Sequence, residues 1–214
     1  MNNKNLKITV VGIGSGAQNI IDYLFLNNKS ENIEFALINS DKNFLEQAKT
    51  ENKLLIHGDN ENFYGLGCGG DTSVGKQYAE FCINKIEQLF LNTDIAVLIS
   101  CFGGGCGTGA TPVIAKMLKN KGIKTIAIIT KPFAFESPNQ FEIATSEIKI
   151  SISHKFPDRM ERATEGIKKL QSYVEKYIVV DNQSLLENFQ HSVTLAEIWN
   201  YVNKKIAEEF YRAL

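Results

Sequence analysis

Nowhere in the 214 residues is there a run approaching the ~20 consecutive apolar residues that a membrane helix requires. Met1 to Lys7 is polar, and the next apolar run, Ile8 to Val11, is far too short for the core of a secretory leader. The sequence therefore predicts a cytoplasmic protein with no direct membrane insertion. It also lacks a charge surplus. Its 23 basic residues face 24 acidic ones, so no global basic field invites nucleic acid. The four cysteines, Cys68, Cys82, Cys101 and Cys106, contain no CxxC pair, and His57, His154 and His191 are scattered. Zinc-finger spacing is thus missing, no metal ligand set is assigned, and the thiols are read as reduced. Internal repeats and low-complexity stretches are absent too. The length suits one large domain and is short for two.

What is present is an alternation of short apolar runs with amphipathic stretches. Strands are expected at Lys7–Val11, Ile33–Asn39, Lys53–Ile56, Asp94–Ser100, Lys124–Thr130 and Tyr177–Val180. Helices are expected at Ala17–Phe25, Ser73–Leu91, Gly109–Lys121, Arg159–Val174 and Val193–Leu214. Such alternation argues for a parallel sheet with helices on both faces. The stretch 137–157 breaks the rhythm. Within it Glu147–Ser153 alternates apolar and polar residues, as an exposed strand or hairpin does, and it is read as an inserted segment.

Three glycine loops carry the chemistry. The first, Gly12 to Asn19 (GIGSGAQN), joins a strand to a helix, where bare backbone can approach an anion at the helix N-terminus. Taken alone it is equally a tight turn or a dinucleotide fingerprint, since Asp41 lies near the end of the second strand. The second, Phe102 to Gly109 (FGGGCGTG), holds more glycine than a plain turn needs. Its economical explanation is a wall of amides around a phosphate chain, with Thr108 offering a hydroxyl to phosphate or to magnesium-bound water. It is not a Walker A loop, because no Gly-Lys-Ser/Thr follows. The third, Gly65 to Asp71 (GLGCGGD), also precedes a helix. All three can converge beyond the carboxyl ends of a parallel sheet.

These motifs resemble those of the FtsZ/tubulin family. GGGCGTG at Gly103–Gly109 is similar to the family signature GGGTGTG. The same order holds for VVGIGSGAQN at Val10–Asn19, INSD at Ile38–Asp41, GLGCGGD at Gly65–Asp71, the run Pro112–Glu136 and RMERATEGIKKL at Arg159–Leu170. The resemblance implies a Rossmann-like, three-layer α/β domain ending in a long central-type helix, with GTP or GDP as ligand and Mg2+ held through the phosphates. It implies that Gly14, Ser15, Gly16 and Asn19 lie under the nucleotide and that Asn39 sits near sugar and phosphates. Cys68, Gly69, Gly70 and Asp71 would approach the terminal phosphate, and Gly103, Gly104, Gly105, Cys106, Gly107, Thr108 and Gly109 would wrap the phosphate chain. Pro132, Glu136 and Arg159 would hold the ribose region. Asn182 and Asn203 would read guanine, and Trp199 would stack on it. Taken as residues alone, Asn182 has a turn-capping role as its alternative and Trp199 a place in the core.

Four departures stand out. The chain ends at Leu214, so the family's catalytic acidic loop and second domain are expected to be absent, and no catalytic residue is assigned. Cys106 replaces the signature threonine and Cys68 a small alanine. A longer link joins Glu136 to Arg159. Lys204 stands where the family has an aspartate that contacts guanine. The expectation is a cell-division filament protein or fragment that binds GTP and turns it over weakly by itself, partnered by its own copies or a longer FtsZ-type subunit. The alternatives are a short nucleotide-binding regulator that caps or co-assembles with a longer relative, and, remotely, an NAD-binding oxidoreductase domain. Cys68 and Cys106, both expected at the terminal phosphate, raise the question of oxidation or metal capture there; tolerated small side chains are the plainer reading.

Overall fold

A computed structural model describes residues 6–59, 64–137, 142–144, 149–151, 158–187, 189 and 193–214. The chain runs β1 (Ile8–Ile13), α1 (Ser15–Asn27), β2 (Ile33–Asn39), α2 (Lys42–Gln47), β3 (Asn52–Leu55), α3 (Thr72–Phe81), α4 (Ile83–Gln88) and β4 (Ile95–Cys101). It continues through α5 (Gly105–Asn120), β5 (Lys124–Lys131), β6 (Glu142–Ala144), β7 (Lys149–Ser151), α6 (Arg159–Leu170), β8 (Lys176–Asp181), α7 (Asn182–Leu186) and α8 (Leu195–Ala213).

Six strands form one parallel sheet in the order β3-β2-β1-β4-β5-β8. The chain winds outward from β1 through β2 to β3, then returns to lay β4 on the other side of β1. The carboxyl ends of β1 and β4 therefore flank a topological switch point, where loops leave in opposite directions and open a crevice. The predicted parallel α/β arrangement is what the chain adopts. β1 explains why its strand pattern is continuous rather than alternating: Val10 packs with one core and Val11 and Ile13 with the other, all without solvent exposure. One face carries α3 to α6, with Ala79, Ile86, Ile114, Leu118 and Leu170 buried; the other carries α1 and α8, with Ile21, Leu24, Ile206 and Phe210.

The helix expected over Ser73–Leu91 is broken at Cys82, whose φ of −91° and ψ of 10° end α3. The Cys82 thiol donates to the His57 carbonyl and accepts from the His57 N–H, both at 3.4 Å, which turns that position inward and restarts the helix as α4. The helix expected from Gly109 begins earlier, at Gly105. Helices α2 and α7 were not anticipated, since six and five residues are too few to display a helical period. Within 137–157, β6 and β7 pair antiparallel. The remainder of the predicted strand Glu147–Ser153 lies outside the described residues. Among the described residues no helix is long and apolar enough to cross a membrane.

Candidate functional site

The three glycine loops meet at the switch point, around a cleft of about 320 Å³. Gly14 ends β1 with φ 84°, and its N–H donates to the Ile38 carbonyl at 2.8 Å. A Cβ on Gly14 would stand 2.9 Å from the Gly107 backbone nitrogen, so the first loop lies directly on the first turn of α5. Asn39 closes β2 and is almost fully buried. Its side-chain N–H donates to Ser15 Oγ at 3.0 Å, and its Oδ1 accepts from the Ser40 and Asp41 N–H groups. The loop over 65–70 is held to that turn by Lys42 N–H to Gly65 carbonyl and Gly67 N–H to Ser40 carbonyl.

The glycines of the second loop divide into two kinds. Gly104 faces open space, with nothing within 4 Å of a would-be Cβ. Gly103 has φ 105°, which favours glycine. Gly105, Gly107 and Gly109 instead lie within α5 and answer to packing. Their Cβ atoms would fall 2.8 Å from the Asp71 carbonyl oxygen, 2.6 Å from Ser100 Oγ and 2.1 Å from the Thr72 carbonyl oxygen respectively. Close approach of α3 and α5, as much as ligand room, explains the glycine content. The Thr108 hydroxyl accepts from the Gly103 N–H at 2.8 Å and is buried, bracing the loop from behind.

Cations gather at the start of α6. Arg159 pairs with Glu136 at 2.9 Å, and Arg162 Nε donates to the Gly103 carbonyl at 2.8 Å. Partial burial, together with the charge of Arg159, lowers the Arg162 pKa despite Asp158 and Asp71, so an arriving anion would relieve that repulsion. Glu136 Oε2 also accepts from the Phe133 N–H at 2.9 Å. The far wall is aromatic and amide. Phe133 stacks on Phe135 and meets Trp199 edge-on at 5.2 Å. Asn182, first residue of α7 and 2% exposed, has a side-chain Oδ1 with no partner among the described residues. The helix cap is supplied by Asp181, not by Asn182.

Of the residues singled out from sequence, Gly14, Ser15, Gly16, Asn39, Cys68, Gly69, Gly70, Gly104, Gly105, Cys106, Gly107, Pro132, Glu136, Arg159, Asn182 and Trp199 line the cleft. Asn19, Asp71, Gly103, Thr108, Gly109 and Asn203 do not. Asn19 is on the exposed side of α1, and Asp71 Oδ1 caps α3 through the Ser73 and Val74 N–H groups. Asn203 follows Trp199 by one helical turn and is half-buried. Ser40, Asp41, Leu66, Gly67, Cys101, Phe102 and Thr130 also line it without having been assigned a role from sequence, although each adjoins a strand end or glycine loop already in view. Asp41 Oδ1 caps α2 by accepting from the Asn43 and Phe44 N–H groups. Cys101, ending β4, has its thiol pushed up to about 11 by burial, against the Thr130 hydroxyl.

The family model described as "Tubulin/FtsZ family, GTPase domain" matches residues 7–155. The chain is 34% identical over 200 residues to the cell division protein FtsZ of Coxiella burnetii, covering 94% of this chain and 46% of that protein. It is 33% identical over 202 residues to the FtsZ of Aquifex aeolicus, covering 94% and 49%. Among solved structures, an empty FtsZ dimer from M. jannaschii superposes with a TM-score of 0.79 at 27% identity, covering 96% of this chain and 53% of that one. The chain thus spans about half the length of the relatives it matches.

Proposed function

The chain belongs to the tubulin/FtsZ family through its GTPase domain, and on that premise we propose that it binds GTP and GDP in the cleft at the switch point. The observation that carries this reading is the buried, unpartnered Oδ1 of Asn182 in the cleft wall. An orphaned acceptor inside a protein costs about 1–3 kcal/mol, so it is expected where a ligand supplies the donor. The N1–H and exocyclic amine of guanine are such donors, whereas the corresponding edge of adenine presents an acceptor at N1. Trp199, beside it, offers a ring face or edge to the base.

At the opposite end, the first-turn N–H groups of α5 have no intrahelical acceptor and carry the positive end of the helix dipole. Gly104 leaves room beside them, and Arg162 holds the Gly103 carbonyl turned back toward α6. A phosphate chain suits that environment. Mg2+ would be held largely through phosphate oxygens, as is usual for this hard ion. Bound nucleotide supplies the scissile phosphoanhydride; these residues bind, orient and partly desolvate it. Residues 1–214 are assigned nucleotide binding, with a further copy of the chain or a longer FtsZ-type subunit as the partner in the cytoplasm.

Calorimetric titration of the reduced chain with GTP, GDP, ATP and NAD+ tests this. The expected outcome is guanine-nucleotide binding at least tenfold tighter than ATP or NAD+ binding. Equal affinity for ATP removes the Asn182 argument, and NAD+ selectivity overturns the reading.

A further inference from the structure

Two thiols in the cleft have no part in the binding reading. Cys68, on the third glycine loop, and Cys106, in the first turn of α5, both line it, each 9% exposed. They come from segments 38 residues apart that the fold presses together: a Cβ on Gly105 would lie 2.8 Å from the Cys68 Cβ. The buried Ser40 hydroxyl lies 3.1 Å from Cys68 Sγ, and the two thiols are near enough that each bears on the ionisation of the other. Two thiols on touching segments of one cleft can be joined by a disulfide if side-chain rotation brings the sulfurs together.

We propose that Cys68 and Cys106 form a reversible dithiol–disulfide pair whose oxidation closes the cleft to nucleotide. The second half rests on the GTP-binding reading; the first does not. The two thiols are chemically unequal. The neighbouring Cys106 thiol, with help from Ser40, lowers the Cys68 pKa, while Cys68 and burial raise that of Cys106 well above the ordinary value. Cys68 is thus the attacking thiolate, since thiolate is the nucleophile in exchange. With a small-molecule disulfide RSSR as oxidant, Cys68 Sγ attacks one sulfur, the S–S bond breaks, and RS⁻ leaves to be protonated. Cys106 then loses its proton and attacks Cys68 Sγ, displacing the second RS⁻. The protein loses two hydrogens and RSSR becomes two RSH.

The consequence is mechanical. A covalent bond of ~2.0 Å between the two sulfurs ties the Gly69–Gly70 amides to the first turn of α5. Ser40 loses its thiol partner, and the two amide walls can no longer part around a phosphate. By linkage, GTP must favour the reduced pair by the factor that oxidation weakens GTP.

The test treats the full chain with oxidised glutathione, maps disulfides in a non-reducing digest, and titrates GTP before oxidation, after it, and after re-reduction. The expected result is a Cys68–Cys106 linkage, at least tenfold weaker GTP binding, and recovery on reduction. Cys106→Ser, or Cys68→Ser if the first misfolds, is expected to show no linkage and no oxidation-dependent change relative to its own reduced state. A digest without that linkage overturns the proposal, as does a linkage that leaves GTP affinity unchanged. If the linkage forms but the reduced chain binds no GTP, the nucleotide reading falls, and with it the gating, while the disulfide stands.

Discussion

The two ends of the cleft are built from different materials. At the α5 end the wall is main chain: Gly14 lies against Gly107, Gly103 leans on Thr108 and Arg162, and α5 is locked to α3 across Gly105 and Gly109. At the α7–α8 end the wall is side chain: the Asn182 amide, the Trp199 ring and the Glu136–Arg159 pair. A main-chain wall can be altered only by disturbing the packing that holds it. A side-chain wall can be altered with the fold left intact. Substitution at the first end should therefore register as lost stability before lost binding, and at the second as changed selectivity without lost stability.

The sharpest contrast lies within a single loop. In Gly109→Ala the new methyl would meet the Thr72 carbonyl oxygen at 2.1 Å, so α3 and α5 must separate. A loss of about 3 kcal/mol is expected. That corresponds to a fall in Tm of roughly 6–12 °C, measured by thermal denaturation. Gly104→Ala has φ −86° and open space around the methyl. Its stability should stay within about 0.5 kcal/mol of the parent while GTP affinity falls at least tenfold. Equal destabilisation of the two variants would erase the distinction between packing glycines and cleft glycines.

That distinction was not legible in the sequence. Strands, their parallel pairing and the convergence of three loops followed from apolar runs and glycine positions, because a parallel sheet buries its strands on both faces and leaves ligands only its carboxyl edge. A glycine, however, reads the same whether the missing Cβ would meet a phosphate or a neighbouring helix, and only the α3–α5 contact separates Gly104 from Gly109. Thr108 and Asp71 went the same way. Residues of those types suit a ligand or a backbone N–H equally, and here Thr108 serves Gly103 and one Asp71 oxygen caps α3. Asn182 and Trp199 were found only through the family resemblance, since a lone asparagine or tryptophan carries no periodic signal.

Thr108→Val removes the acceptor for a buried N–H and keeps the shape. It should cost about 1–3 kcal/mol in denaturant unfolding, with Thr108→Ser restoring most of the loss. A neutral valine would mean that Gly103 finds another partner, weakening the claim that this end is held by its own backbone. Asn182→Leu is the counterpart at the other end. It deletes an acceptor that has no partner among the described residues, so stability should be unchanged or slightly higher. Its preference for GTP over ATP should shrink about tenfold, close to 1.4 kcal/mol, by competitive titration. Destabilisation by leucine would show that Asn182 serves the fold first.

The smallest effect tests the joint between the two ends. Asp158 caps α6 by accepting from the Glu161 N–H at 2.8 Å, and the turn it fixes sends Arg159 to Glu136 and Arg162 to Gly103. That hydrogen bond, with further help from Ser137, Met160 and the charge of Arg162, holds the Asp158 carboxyl below the usual aspartate value despite slight burial. A folded-state pKa below the unfolded one of about 3.9 means the stabilisation is fully present above that pH and is lost as pH falls through the lower, folded value. Asp158→Ala should cost about 1 kcal/mol at neutral pH. The gap from the parent should stay constant down to roughly pH 5 and close as the carboxyl protonates in the folded protein. Because one cap orients both arginines, its loss should weaken GTP and GDP by similar, modest factors. A selective loss of one nucleotide would assign α6 to a single end of the cleft and separate the two walls that Asp158 now joins.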